Sequence, residues 1–295
     1  MDEKRRTRSF IGVKLRFAAL GGDGDGLGAG QRCAALYFRP VFIDTHAHLY
    51  SEKFGDDREA MLERAARAGV GKLFLPNVDH DSIGPMDALA AAHPERCFAM
   101  MGLHPCSVGA DNAAALGEVE RLLRTGRYCA VGEIGIDLYW DKTWLAQQQQ
   151  AFLQQVRWAK ELGLPIAIHC RESFAEVMAI VEQENDASLS GVFHCFTGTP
   201  EQARRIIALG GFCLGIGGVI TYPKGGLFET MREVGADHCV LETDAPYLAP
   251  VPYRRKRNES SYIPIIAAKL AEAVGLPVEE VARITTANAG QLFRR

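Results

Sequence analysis

Eight short apolar runs, each followed by a segment of helical character, constrain the fold of this chain more than any other feature. The runs are VFIDTHAHL (41–49), KLFLPNV (72–78), CFAMMGLHP (97–105), YCAVGEIGID (128–137), PIAIHC (165–170), GVFHCF (191–196), FCLGIGGVI (212–220) and HCVLETDAP (238–246). Helical segments such as DDREAMLERAARAG and WLAQQQQAFLQQVRWAKELG separate them. Short β-branched runs read as strands, and strand–helix alternation reads as parallel strands covered by helices. Eight such units in the 255 residues from 41 to 295 match a (β/α)8 TIM barrel, whose usual size is about 250 residues. The competing α/β architecture is an open doubly wound sheet. No GxGxxG follows the first strand, and the polar residues occupy too many strand ends for one switch point. The barrel is the expected fold, as a single domain over 41–295.

Residues 1–40 read differently. GGDGDGLGAG at 21–30 offers no repeating apolar face, so this stretch is expected to be a disordered N-terminal extension that packs little against the barrel. Its opening segment is basic, but Lys14 and Arg16 interrupt any apolar signal core, and no stretch approaches the roughly 20 apolar residues of a membrane span. A cytoplasmic location follows as an expectation. The eight cysteines form no CxxC pair and lie mostly inside apolar runs, as buried thiols of a reducing compartment would.

The net charge of −3 conceals an asymmetry. Residues 1–40 hold eight Lys/Arg against four Asp/Glu, which leaves −7 for residues 41–295. Such a body cannot hold nucleic acid by a general basic surface, so phosphate recognition requires local cations or bound metal.

Five of the eight histidines (46, 48, 104, 169 and 194) lie at or near the C-terminal ends of expected strands, the end of a barrel that carries its chemistry. His80 and His93 fall in expected loops, and His238 begins the eighth strand at the opposite face. Residues i and i+2 of a strand share a side. His46 and His48 therefore project together with Asp44 one layer deeper, as do Glu242 with Asp244 and Glu133 with Asp137. If these faces point inward, His46, His48, Glu133, His169, His194 and Asp244 converge. Four imidazoles and two carboxylates form a costly cluster unless cations partner them, and two divalent metal ions sharing Glu133 would do so. By the same parity Cys170 and Cys195, next to two of these histidines, should point outward into the helix layer.

FIDTHAHL, MGLHP, VGEIGID, IAIHCRES, VFHCFTG and LETDAPYLAP, in that order, resemble the successive signatures of the TatD family of metal-dependent deoxyribonucleases, among the amidohydrolase-like barrels. The resemblance runs from about residue 41 to TTANAGQLF near the end. It implies one metal on His46, His48, Glu133 and Asp244 and a second on Glu133, His169 and His194. It implies further active-site positions at His104 and Glu242. The family pattern after the eighth strand is RGK.NEP, where this chain has RRKRNES, with Arg255 in place of a glycine and Ser260 in place of a proline.

The resemblance implies hydrolysis of DNA phosphodiesters, as a 3′–5′ exonuclease on single-stranded ends with RNA as a further partner. Asp244 doubles as a proton acceptor, and Glu242 orients water or a ligand histidine. Arg171 at the rim and the basic run Arg254, Arg255, Lys256, Arg257 are the candidate substrate-binding cations, and Tyr139, Trp140 and Tyr247 could stack on bases. The metals stay open: imidazoles favour Zn, Mn, Fe, Co or Ni, while the carboxylates admit Mg. Two alternatives remain, a deacylase of misacylated tRNA on the same site and a non-catalytic nucleic-acid-binding protein.

Overall fold

A computed structural model describes residues 42–293 of the chain; the expected extension, residues 1–40, lies outside the described residues. Eight strands follow in order: β1 (Phe42–Asp44), β2 (Val70–Leu75), β3 (Cys97–Ala99), β4 (Val131–Asp137), β5 (Ile166–Arg171), β6 (Gly191–Phe193), β7 (Phe212–Ile216) and β8 (Cys239–Leu241). Within β1–β3 and within β4–β8 each strand pairs in parallel with the next. Backbone bonds beyond the regular strands join these two groups. Met101 N donates to Ala130 O at 3.1 Å and Cys129 N to Ala99 O at 3.0 Å, linking β3 to β4. Thr45 N donates to Leu241 O at 3.0 Å and Asp244 N to His46 O at 2.9 Å, linking β8 back to β1. The ring is closed, as the TIM-barrel reading expects.

Seven helices follow the first seven strands: α1 (Arg58–Arg67), α2 (His80–Ala92), α3 (Ala113–Leu123), α4 (Leu145–Leu162), α5 (Phe174–Glu184), α6 (Pro200–Ile207) and α7 (Leu227–Val234). Then α8 (Ile263–Val274) and α9 (Val278–Phe293) complete the chain. Strand residues such as Leu73, Ile134, Ile168 and Leu214 share one buried cluster with Met61, Phe152 and Ile206 from the helices. Each such side chain contributes about 1.5–3 kcal/mol when fully buried. A smaller cluster, including Phe74, Ala130, Ala167 and Val240, is joined by Ala289 and Phe293 of α9, and the Phe293 ring stacks on Phe74 at 4.2 Å. Among the described residues no single helix is long and apolar enough to cross a membrane.

The regular strands are shorter than the apolar runs that encode them. β1, β3, β6 and β8 have three residues each, so His46, His48, His104, His194, Glu242 and Asp244 stand on irregular backbone just past their strands. Glu133, Asp137 and His169 lie inside one, as do Asp44 and Arg171. His80 opens α2 instead of lying in a loop.

Candidate metal centre at the barrel mouth

Glu133 is the hub of the mouth. Its Oε2 lies 3.1 Å from His46 Nε2 and 3.7 Å from His48 Nε2. Its Oε1 lies 2.9 Å from His169 Nδ1, 3.5 Å from His104 Nε2 and 3.8 Å from His194 Nε2. Asp244 Oδ1 stands 3.4 Å from His48 Nε2 and 3.9 Å from His194 Nε2. The six residues expected to converge are therefore within reach of one another, with one Glu133 oxygen turned to each half of the set.

Most of these rings are held from behind by a second group. Tyr50 Oη lies 2.9 Å from His48 Nδ1 and donates to Pro76 O, so its lone pair is free to accept from the ring. Asp137 Oδ2 is 2.8 Å from His169 Nε2, and Glu242 Oε1 makes an ion-pair contact with His194 Nδ1 at 2.9 Å, out of line for a regular hydrogen bond. Gly215 makes room for Glu242, since a Cβ there would run into the carboxylate. Such outer contacts fix which ring nitrogen keeps a lone pair for a cation. The inner nitrogen of His46, Nε2, faces Glu133, while its buried Nδ1 has no partner.

His104 is wired the other way. Cys106 N donates to its Nδ1 at 3.0 Å, so a neutral His104 carries its proton on Nε2, the nitrogen facing Glu133 and His169. Proximity alone would let His104, Glu133 and His169 share an ion. The tautomer makes His104 a donor, not a ligand.

The charges follow from this crowding. Burial opposes ionisation of Glu133, yet His104, His46 and His194 hold its pKa well below the usual carboxylate range. Burial also opposes charge on His194, but Glu242, Glu133 and Asp244 outweigh it and raise the ring to about 10. For His169, burial is outweighed by the hydrogen bonds its ring donates to Asp137 and Glu133, which raise it to about 8. His46 moves down, through burial and the His194 ring stacked on it at 3.4 Å. Without a cation, protons on imidazoles neutralise the carboxylates. Facing nitrogen and oxygen donors, with no Lys or Arg ion-paired to Glu133 or Asp244 among the described contacts, fit divalent ions of the borderline kind.

The family model for TatD related DNase matches residues 43–294. The chain belongs to the TatD family. It is 35% identical over 259 residues to the uncharacterized metal-dependent hydrolase YabD of Bacillus subtilis, covering 86% of this chain and 99% of that protein. It is 33% identical over 258 residues to the 3′-5′ ssDNA/RNA exonuclease TatD of Cronobacter sakazakii, covering 85% and 97%. The crystal structure of YJJV, a TatD homolog from Escherichia coli K12, superposes with a TM-score of 0.81 at 31% identity, covering 87% of this chain and 99% of that one. The chain is a metal-dependent hydrolase of the TatD family.

The remaining candidates of this TatD chain separate into two groups. Arg171 is exposed at the rim, its guanidinium 3.7 Å from the Tyr139 ring centroid, and Arg254 lies 4.5 Å over Tyr222. Arg255 is also exposed, at φ 71, a left-handed conformation that suits the glycine of the family pattern. Arg257 is instead engaged: its guanidinium pairs with Asp57, donates to Lys53 O at 3.2 Å and packs on Phe54. Beside it Arg64 donates to both Asp57 and Glu259. Asn258, fully buried, donates to Thr243 O and Tyr247 O. This cluster ties the loop after β8 to α1 and to the strand end.

Cys195 corrects an expectation. Its Sγ lies within 4.8 Å of the polar side-chain atoms of His194 and Glu242 rather than pointing out into the helix layer. β6 ends at Phe193, and Cys195 takes φ 46, so strand parity no longer applies there. Burial pushes its thiol well above the usual range, and Asp244 and Glu242 add to this, so it is a poor nucleophile. Several positioning residues had no signal in the sequence. Gln148 and Gln155 of α4 are buried, their Oε1 atoms accepting from Asp137 N at 2.8 Å and Leu103 N at 2.7 Å. They brace the backbone beside His169's partner and beside His104.

Proposed function

We infer that this TatD-family hydrolase cleaves phosphodiester bonds at the 3′ ends of single-stranded DNA, and of RNA, with two divalent cations. The observation that carries the reading is the division of the Glu133 carboxylate, Oε2 toward His46 and His48, Oε1 toward His169 and His194. Two sets of donors meeting at one carboxylate suit a pair of ions better than one. His46, His48, Glu133 and Asp244 would hold one, and Glu133, His169 and His194 the other. Bound there, such cations lower the pKa of water and offset charge on a phosphodiester.

The chain's own groups then have distinct tasks. The Asp244 side chain is 16% exposed against 3% for Glu133, 2% for Asp137 and 0% for Glu242, so it is the carboxylate best able to take a proton from attacking water. His104 offers its Nε2–H to a phosphate oxygen. Glu242 holds His194 and also accepts from Cys195 N at 2.5 Å, which fixes the turn that carries the ring. Arg171 faces the mouth as an anion partner. The relatives named as 3′-5′ ssDNA/RNA exonucleases support the choice of substrate.

The test offers metal-loaded protein three substrates side by side: 5′-labelled single-stranded DNA, the matching RNA, and an aminoacyl-tRNA ester. Stepwise shortening of the nucleic acids is expected. Ester cleavage with every backbone left intact would replace the nuclease with a deacylase, and binding without turnover would leave a nucleic-acid-binding protein.

A further inference from the structure

Large apolar side chains left in water are concentrated at one end of this molecule. Among the described residues, Trp140 is 71% exposed, Tyr139 48% and Tyr247 48%, with Leu248 and Val251 also exposed. All five lie in the loops after β4 and β8; the one other such residue among those described, Leu276, lies between α8 and α9. In a closed ring of eight strands, β4 and β5 stand across the mouth from β8 and β1. The aromatic residues therefore flank the candidate metal centre from opposite sides.

Both groups are fastened to that centre. On one side, the Asp137 carboxylate that contacts His169 through Oδ2 also accepts Tyr139 N at 2.9 Å and Trp140 N at 3.3 Å through Oδ1. The Arg171 guanidinium lies 3.7 Å from the centroid of Tyr139 and 5.3 Å from that of Trp140. On the other side, Tyr247 N donates to Asp244 O at 2.7 Å, and the Tyr247 ring stands edge-on to His48 at 6.1 Å. Lys53 Nζ lies 4.3 Å from the centre of that ring. Each side thus pairs an exposed aromatic face with a cation. Aromatic faces beside cations are the chemistry that holds unpaired nucleobases and the phosphates between them.

We propose that Trp140 with Tyr139 and Arg171, and Tyr247 with Lys53, form two nucleobase platforms on opposite sides of the mouth, so that a single strand is gripped by its bases on both sides of the bond presented to the centre. The proposal rests on the single-strand reading given above. A duplex, whose bases are already stacked, cannot use the platforms, and selection for unpaired strand follows from that.

The test measures binding by the full chain of a thymidine tetranucleotide and of the same sugar–phosphate tetramer without bases, in calcium and again in chelator. The wild type is expected to hold the base-bearing strand about tenfold more tightly than the abasic one, with quenching of tryptophan fluorescence. Trp140→Ala and Tyr247→Ala should each bring the two affinities several-fold closer together. Trp140→Phe should restore the preference while removing the quenching. Equal affinity of the wild type for both tetramers, no binding of either, or an unaltered preference in both alanine variants would overturn the platforms. A wild type that shows the preference yet cleaves no nucleic acid would leave the platforms standing and remove the nuclease reading.

Discussion

Asp137 Oδ2 lies 2.8 Å from His169 Nε2, while the other nitrogen of the same ring lies 2.9 Å from Glu133 Oε1. The imidazole is clamped between two carboxylates, one deep in the candidate centre and one outside it. The outer contact fixes the ring and enriches the inner nitrogen as a donor. Replacing such an outer partner typically lowers metal affinity by about 10–100-fold. Asp137→Asn should therefore weaken metal uptake by this order, read by calorimetric titration, with His46→Ala as the reference for a lost ligand. Affinity equal to wild type would remove Asp137 from the centre.

The metal-free protein should lose stability in alkali. His169 is raised to about 8 and His194 to about 10, both against burial, by the carboxylates that face them. A raised imidazole stabilises the fold fully below its unfolded value, about 6.5, and that contribution goes as pH climbs through the folded values. Asp137, lowered to about 2 because His169 outweighs burial, adds stability above its unfolded value that is lost only in strong acid. Melting temperature without metal should fall from neutral pH toward 10. Metal must displace the ring protons, so loading at pH 7 should release protons and tighten as pH rises. Calorimetry in buffers of differing ionisation enthalpy counts them, and loading with no release would contradict these assignments.

The basic loop after β8 should divide by residue. Arg254 and Arg255 are exposed, so alanine there should weaken strand binding and flatten its salt dependence by about one counterion each. Arg255→Gly should act likewise on binding yet raise stability by about 1 kcal/mol, since φ 71 is strained for arginine. Arg257→Ala should chiefly lower the melting temperature, because its guanidinium is committed to Asp57. An equal loss of salt dependence in all three variants would return Arg257 to the substrate.

Arg64 serves the same loop from α1. It is paired with Asp57 and with Glu259, whose side chain is 8% exposed. Arg64→Ala leaves that carboxylate short of its strongest donor, at a cost of about 2 kcal/mol. Arg64→Lys should recover only part of this, since lysine lacks the planar fork. Denaturant midpoints read both, and a change below a few tenths of a kcal/mol for alanine would show that the loop holds without it.

How much was legible in the sequence depended on where regular strand ended. β4 and β5 are long, so alternation correctly grouped Glu133 with Asp137 and put His169 near them. Past the three-residue strands the backbone turns irregular, with φ 46 at Cys195 and φ 56 at Asp244. There alternation misjudged Cys195, and Asp244 joins the set through a turn. Gln148 and Gln155 read as polar positions of an amphipathic helix. Nothing in a single sequence distinguishes a glutamine that meets water from one that meets a strand-end backbone. The donor role of His104 depends on one backbone N–H, that of Cys106, which composition cannot reveal.

Phosphodiester cleavage is proposed to depend on two cations meeting at Glu133. Chelated protein is titrated with manganese while shortening of a 5′-labelled single strand is followed, in wild type and in Glu133→Ala. No cleavage is expected in chelator, with activity that saturates near two equivalents of metal per chain, and neither tight loading nor cleavage in the variant. Full activity in chelator, or a Glu133→Ala protein that binds two ions and cleaves like wild type, would contradict this dependence.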